Sequence, residues 1–122
     1  MTNPFRDQEK FMRACDQHTS AYSISQYKMY LSLIDEEHKE LQEAVEANDL
    51  EEQLDALIDI LVVTIGAIHS AGFDGEGAWK EVMATNFAKV DRETGRVRKR
   101  EDGKVLKPVG WTPPDLTGYL TK

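Results

Sequence analysis

The sequence contains a single cysteine, Cys15, among 122 residues. One thiol excludes an intrachain disulfide framework and any cysteine-rich zinc or iron–sulfur site, and it fits a reducing compartment. Residues 1–10 lack the apolar core of a secretory signal. The longest nearly apolar run, residues 56–68, contains Asp59 and is too short to span a bilayer. We therefore expect a cytoplasmic protein of one domain, residues 1–122, with no membrane segment.

Basic residues are scarce in most of the chain. Residues 1–90 carry seven Lys and Arg against seventeen Asp and Glu, whereas residues 91–107 carry seven against four. So acidic a body repels the backbone of a nucleic acid, and we expect no nucleic acid partner. An acidic body with a short basic segment suits metal cations and a small polyanion. A solvated acidic surface explains the same composition, so the spacing of the acidic residues has to decide.

Capping signals and hydrophobic periodicity predict an all-α chain with four helices and an irregular tail. Asn3-Pro4 begins the first helix, and the spacing from Ser23 to Gln26 is that of a capping box before the second. The predicted helices are residues 4–18, 27–47, 50–71 and 75–89, which form a helical body of residues 1–90. The basic, proline-containing tail of residues 91–122 has two turn dipeptides, and a small hairpin would pair Val97 with Val105.

The second predicted helix places a carboxylate in its apolar stripe. At about 100° per residue, Tyr30, Leu33 and Leu41 all fall within roughly 60° of Glu37. Glu40 lies about 60° to one side of Glu37. The run from Glu36 to Glu40 reads EExxE. An acidic surface face is a sufficient explanation for this motif taken alone.

The third predicted helix also has a carboxylate among apolar residues. Glu52 and Asp55 fall within roughly 40° of Asp59, which has aliphatic neighbours on both sides in the sequence. A carboxylate buried without a partner costs several kcal/mol or more, and this helix contains no Lys or Arg. A cation shared by the two helices is therefore the nearest candidate partner.

Clustered carboxylates without sulfur or paired histidines select hard cations, Mg²⁺ or Mn²⁺. A protein-bound Mg²⁺ usually also contacts substrate phosphates, so the pattern predicts metal-assisted hydrolysis of a phosphoanhydride. A di-iron carboxylate bundle needs two inward ExxH motifs. The sequence offers only one comparable stretch, ending at His38, which argues against that class.

Three segments in this order resemble one family. They are the EExxE helix of residues 33–41, the acidic helix of residues 55–63, and a C-terminal part with Asn86-Phe87-Ala88-Lys89 and Gly110-Trp111-Thr112-Pro113-Pro114. The chain resembles the all-α nucleoside triphosphate pyrophosphohydrolases, the MazG-like group related to phosphoribosyl-ATP pyrophosphohydrolase. The resemblance implies a four-helix MazG-like bundle that assembles as a dimer or a dimer of dimers. It also implies Mg²⁺-dependent cleavage of a nucleoside triphosphate, which we expect to be a deoxynucleotide, to the monophosphate and pyrophosphate.

The same resemblance assigns roles by position. Glu36 would be the catalytic residue that orients or deprotonates the attacking water. Glu37, Glu40 and Asp59 would be metal ligands. Substrate phosphate or sugar would meet Asn86 and Lys89.

The basic tail leaves two interpretations open. With Lys89 and Arg92, Lys104 and Lys107 would neutralise a triphosphate if the tail folded over the acidic site. A tail that is simply soluble has the same composition. Trp111 favours docking of the tail.

One position departs from the family pattern. The family often has Glu three residues before the final Asp, and that residue here is Ala56. We expect Asp55 to replace it as the fourth metal ligand, with Glu52 as the alternative. Two other functions stay open. One is hydrolysis of phosphoribosyl-ATP, and the other is a non-catalytic helical dimer that acts as a regulator.

Overall fold

The computed structural model describes residues 3–122, whose regular secondary structure is entirely helical. The four α-helices are α1 (Pro4–Ala14), α2 (Ile24–Glu46), α3 (Leu50–Ser70) and α4 (Gly75–Phe87). A short 3-10 helix, Thr117–Tyr119, follows in the tail. Within this described part of the chain, β-pairing is limited to two isolated bridges. The all-α prediction with four helices is confirmed.

The chain divides into two compact units. The helical unit runs up to Gly75 and includes Leu120–Lys122, and the C-terminal unit is Glu76–Tyr119. The division lies at the start of α4, so residues 76–87 of this helix are in the same unit as most of the tail. The assignment of residues 1–122 to one domain stays a prediction.

Two predicted helix starts are fixed by local capping. The Asn3 side chain accepts a hydrogen bond of 3.0 Å from the backbone N–H of Arg6, and Pro4 occupies the first turn. Asp49 accepts a bond of 3.1 Å from the backbone N–H of Glu52. Each cap satisfies a backbone donor that the helix itself leaves without a partner. These starts are therefore local properties of the sequence.

The first helix ends four residues earlier than predicted. Asp16 adopts a left-handed conformation with φ 58°, and the N–H of Gln17 bonds back to the carbonyl of Met12 at 2.9 Å. This is a left-handed helix stop of the type that Asp tolerates better than most residues. The helix therefore ends at Ala14 and not at His18.

The predicted capping box at the start of α2 is wrong in its partners. Ser23 is the N-cap residue but makes no side-chain capping bond. The Gln26 side chain instead accepts from the His18 N–H at 2.9 Å and donates to the His18 carbonyl at 2.7 Å. It also donates to Ser70 Oγ at 2.7 Å. Gln26 thus ties the α1–α2 connection to the end of α3, and α2 begins at Ile24.

The core of the helical unit lies where α3 packs against α1 and α2. Its buried members are Met12, Tyr30, Val63 and Ala67. The Tyr30 ring lies against Gly66, where an added Cβ would stand only 2.6 Å from Cδ1 of the ring. Real Cβ atoms essentially never come this close, so glycine at position 66 sets how closely α2 approaches α3.

The last residue of the chain is anchored on the helical unit. The ammonium group of Lys122 donates to the Thr19 carbonyl and lies 3.0 Å from Nδ1 of His69. The other ring nitrogen of His69 lies 2.8 Å from the Phe5 carbonyl. With Lys122 donating to Nδ1, Nε2 carries the proton and donates to Phe5. Buried His69 therefore connects α1, α3 and the C-terminus.

The tail has both predicted turns but a different pairing from the one predicted. Gly95 and Gly103 take positive φ angles of 68° and 86°. Val97 pairs with Val90, and Val105 pairs with Lys99. The predicted pair of Val97 with Val105 is wrong because each turn closes its own short antiparallel bridge.

Candidate active site

Four carboxylates of the helical unit act on one another across α2 and α3. Glu37 and Glu40 lie one turn apart on α2, and Asp55 and Asp59 lie one turn apart on α3. The charges of Glu40, Asp59 and Asp55 all raise the pKa of Glu37. The structure therefore brings together the four residues that the sequence predicts as metal ligands, and we call them the acidic cluster.

Glu37 is at the centre of the acidic cluster. Burial raises the pKa of its carboxyl group most, and a hydrogen bond to Glu40 comes next, so that with the neighbouring charges the pKa reaches about 7. Protonated Glu37 donates this hydrogen bond to the Glu40 carboxylate. Its Oε2 atom is buried and has no hydrogen-bond partner among the described residues. A buried acceptor without a partner is uncommon in native proteins and calls for an explanation.

Asp59 has the same character in milder form. Asp59 is half-buried. Burial is the largest cause that raises the pKa of its carboxyl group, and the charges of Asp55 and Glu40 raise that pKa further. In residues 3–122, no member of the acidic cluster forms an ion pair with Lys, Arg or His. The cluster is therefore an excess of negative charge without a protein counter-charge.

The acidic cluster fits a hard divalent cation by the chemistry of its donors. Oxygen ligands from carboxylates suit Mg²⁺ or Mn²⁺, and the orphaned Oε2 of Glu37 is a ligand atom without another role. In the described chain, no three Asp, Glu, His or Cys side chains converge as a finished metal site. A bound cation would also offset the mutual repulsion of these carboxylates.

Glu36 and Ala56 are the sequence neighbours of Glu37 and Asp55 in the acidic cluster. Glu36 precedes Glu37 on α2 and is exposed to solvent, so its carboxylate is accessible to water. Ala56, the position where the family often has Glu, is buried. Asp55 is exposed and acts on both Glu37 and Asp59. Among the described residues, Glu52 does not enter these interactions, which favours Asp55 over Glu52 as the fourth ligand.

The predicted substrate residues lie in the C-terminal unit. Lys89 Nζ donates to Asn86 Oδ1 at 3.2 Å and lies 5.0 Å from the centroid of the Trp111 ring. Lys107 Nζ lies 4.9 Å from the same centroid. The structure thus places Lys89 and Lys107 on one indole ring, and Asn86 is joined to this pair through Lys89.

Lys104, the fourth predicted substrate residue, lies elsewhere in this unit. It belongs to the turn at Asp102, to which its backbone N–H donates at 3.0 Å. Its backbone carbonyl accepts from the N–H of Arg100 at 2.8 Å.

The sequence did not single out Arg98, which lines the same pocket as Lys89, Arg92 and Trp111. The tail has no helical or strand periodicity from which neighbours could be inferred. Trp111 is the one usable signal, because an indole in a proline-rich segment needs a surface to pack on and a partner for its N–H. Its Nε1 donates to the Thr85 carbonyl at 2.7 Å.

The comparison with known families shows the family to which the chain belongs. Residues 5–86, well over half of the chain, match the family described as phosphoribosyl-ATP pyrophosphohydrolase. The chain belongs to this family. It is part of the MazG-like all-α superfamily, and it is a pyrophosphohydrolase, an enzyme that hydrolyses phosphoanhydride bonds. No curated protein matches the chain. The family match covers the whole acidic cluster and ends at Asn86, so residues 87–122 lie outside it.

Proposed function

We propose that this pyrophosphohydrolase hydrolyses a nucleoside triphosphate, a deoxynucleotide in preference, to the monophosphate and pyrophosphate in a Mg²⁺-dependent reaction. The observation that carries the proposal is the acidic cluster, in which Glu37 has a buried oxygen with no partner. Glu37, Glu40, Asp55 and Asp59 would hold the cation. When bound, Mg²⁺ would offset the charge of the phosphates and polarise a phosphoryl oxygen.

Glu36 is proposed as the general base. Its exposed carboxylate would accept a proton from the water that attacks the substrate. The oxygen of that water bonds to phosphorus, the bond between the α- and β-phosphates breaks, and pyrophosphate leaves with the electron pair. We expect Glu36→Gln to lower kcat while leaving divalent-cation binding intact.

Metal binding can be tested without turnover. Mn²⁺ binding followed by electron paramagnetic resonance should be lost or strongly weakened in Asp59→Asn. Glu43→Gln is the matched control, because Glu43 is exposed on α2 outside the acidic cluster. Equal Mn²⁺ affinity in wild type and Asp59→Asn would contradict the assignment.

A second candidate substrate is phosphoribosyl-ATP. The matched family carries this substrate in its description, and the reaction breaks the same kind of bond. The values of kcat/KM for ribo- and deoxynucleoside triphosphates and for phosphoribosyl-ATP, measured under one Mg²⁺ condition, decide between the two. A preference for phosphoribosyl-ATP would replace the proposed substrate but leave the proposed chemistry in place.

We also propose that the enzyme is a homo-oligomer, a dimer or a dimer of dimers. The side of α3 opposite Asp59 carries an apolar stripe that stays exposed in the single chain, made of Leu50, Leu54, Leu57 and Leu61. Leu50 is 78% and Leu61 is 58% exposed. Contiguous apolar surface of this kind marks an interaction site, and a second copy of the chain is the partner that a symmetric interface requires.

The oligomer is tested by light scattering. Wild type should run as a dimer or tetramer, and Leu57→Arg with Leu61→Arg should run as a monomer with its helical content retained. Among residues 3–122, α3 is also the helix that is long and apolar enough to cross a membrane, a property that core helices of soluble proteins share. A wild-type chain that is monomeric, or that requires detergent, would contradict the proposed oligomer.

A further inference from the structure

The C-terminal unit contains a pocket of about 560 Å³ that the family match does not cover. Its wall runs from Ala88, directly after α4, through Val90 of the first bridge to the segment around Trp111. The charged side chains in the wall are Lys89, Asp91, Arg92 and Arg98. Three of these four are basic. The pocket therefore lies in the one part of an acidic protein that has an excess of positive charge.

Two ammonium groups meet on the indole that forms part of this wall. Lys89 Nζ and Lys107 Nζ lie 5.0 Å and 4.9 Å from the centroid of the Trp111 ring. Each contact is a cation–π interaction. Lys89 belongs to the pocket wall, and Lys107 lies beside the wall on the same indole. The ring is fixed by its bond to the Thr85 carbonyl, which makes it a rigid support for both lysines.

The positive charges in the pocket wall, and that of Lys107 on the adjoining indole, are only partly neutralised. Neither Lys89 nor Lys107 forms an ion pair in residues 3–122, and Lys89 bonds to a neutral amide. Arg98 has Asp91 at 3.7 Å. The Oδ1 atom of Asp91 is already an acceptor for the backbone N–H of Glu93 at 2.8 Å. An anion with more than one charge would supply what these groups lack.

We propose that this pocket binds a polyphosphate group, with Lys89, Arg92 and Arg98 of its wall as ligands. Lys107, which contacts the Trp111 ring beside the wall, would be a further ligand. Arginine binds phosphate oxygens in a bidentate manner, and lysine binds them as a point charge. The group is either the phosphate chain of the nucleotide or the released pyrophosphate, and in naming these two sources the inference rests on the proposed function. Arg92 and Arg98 both follow the matched family segment, so these ligands would be a feature of this chain's own tail.

The test uses the indole as its reporter. The chain has two tryptophans, and Trp79→Phe leaves Trp111 as the only one. The full-length Trp79→Phe protein is titrated in EDTA, where no turnover is expected, with inorganic pyrophosphate and separately with dATP. An anion that draws the ammonium groups off the ring should change the Trp111 emission in a saturable way. Sodium chloride at equal ionic strength is the control for screening.

Two variants and a matched control locate the site. Arg98→Ala and Lys107→Ala should each weaken pyrophosphate binding by about tenfold, as expected for a lost hydrogen bond to a charged group. Lys99→Ala removes the same charge from an exposed tail position that is neither in the pocket wall nor one of the two cations on the Trp111 ring, and it should bind as tightly as the parent. Circular dichroism confirms that each variant is folded. If Lys107→Ala does not fold, Arg92→Ala takes its place.

The outcomes separate this inference from the proposed function. Pyrophosphate binding that equals dATP binding points to the released product, and tighter dATP binding points to the substrate chain. Emission that does not respond to either anion, or that responds equally to sodium chloride, overturns the inference even if Mg²⁺-dependent turnover is observed. Equal affinity in Arg98→Ala and Lys99→Ala overturns it as well. Binding without turnover of any nucleotide would leave the pocket in place and refute the proposed function.

Discussion

Glu37→Gln should make the metal-free protein more stable above neutral pH. The pKa of Glu37 is raised from 4.5 to about 7, so the folded state disfavours the charged carboxylate. A raised pKa of this kind stabilises the fold below pH 4.5, and that stabilisation is lost as the pH rises to about 7. Glutamine keeps the shape of the side chain but never ionises.

The size of the effect follows from the shift. From 4.5 to about 7, at 1.36 kcal/mol per unit, the shift corresponds to about 3 kcal/mol. Because Glu37 is only half-buried, solvent screening reduces this figure to about 1–2 kcal/mol. For a chain of this length we expect a rise in Tm of roughly 3–8 °C.

The assay is thermal unfolding in EDTA from pH 4.5 to 8.5. The difference in Tm between Glu37→Gln and wild type should grow through pH 5–7 and level off above it. Glu43→Gln removes an exposed carboxylate from the same helix and should show no such rise. A difference in Tm that does not change with pH, or that has the opposite sign, would refute the claim that burial and neighbouring charges destabilise the ionised form of Glu37. The same Glu37→Gln variant should have lost its Mg²⁺-dependent activity.

Three other predictions concern the acidic cluster, the core and the anchored C-terminus. Mg²⁺ at one hundred times its Kd should stabilise the folded wild type by about 2.7 kcal/mol and raise its Tm accordingly. A rise in Tm of equal size in Asp59→Asn would contradict this site. Gly66→Ala should destabilise the fold by about 1–3 kcal/mol through its clash with the core, measured by urea unfolding. Gly118→Ala, which meets no atom within 4 Å, is the neutral control, and equal stability of the two alanine variants would argue against the clash. Lys122→Ala should speed amide exchange around Thr19, since it removes the anchor of the C-terminus, and unchanged exchange would show that this anchor carries no stability.

The helices could be predicted because their signals are local. The caps at Asn3 and Asp49 bond to donors three residues away, so a short window of sequence contains both partners. Gln26 fits the local pattern of a capping box, but its actual partner Ser70 is 44 residues away. The left-handed Asp16 that stops α1 also depends on context, since Asp is equally acceptable inside a helix turn.

The acidic cluster could be predicted for a different reason. Helical periodicity places Glu37 and Asp59 on apolar faces, and faces of that kind pack together. Two carboxylates on faces that pack together are therefore expected to be neighbours, although the distance between them cannot be predicted in this way. The pocket around Trp111 has no equivalent signal. The bridges that bring Arg98 beside Lys89 depend on which residues pair, and the sequence favoured a pair, Val97 with Val105, that does not form.

The most direct test of the account is pyrophosphate release from nucleoside triphosphates, with Mg²⁺ and with EDTA. Wild type and Glu43→Gln should each release pyrophosphate and monophosphate in equimolar amounts with Mg²⁺. No release is expected in EDTA, and none from Glu37→Gln under either condition. Release of single phosphate would contradict the assigned bond. Full activity of Glu37→Gln would contradict the acidic cluster as the site of the reaction.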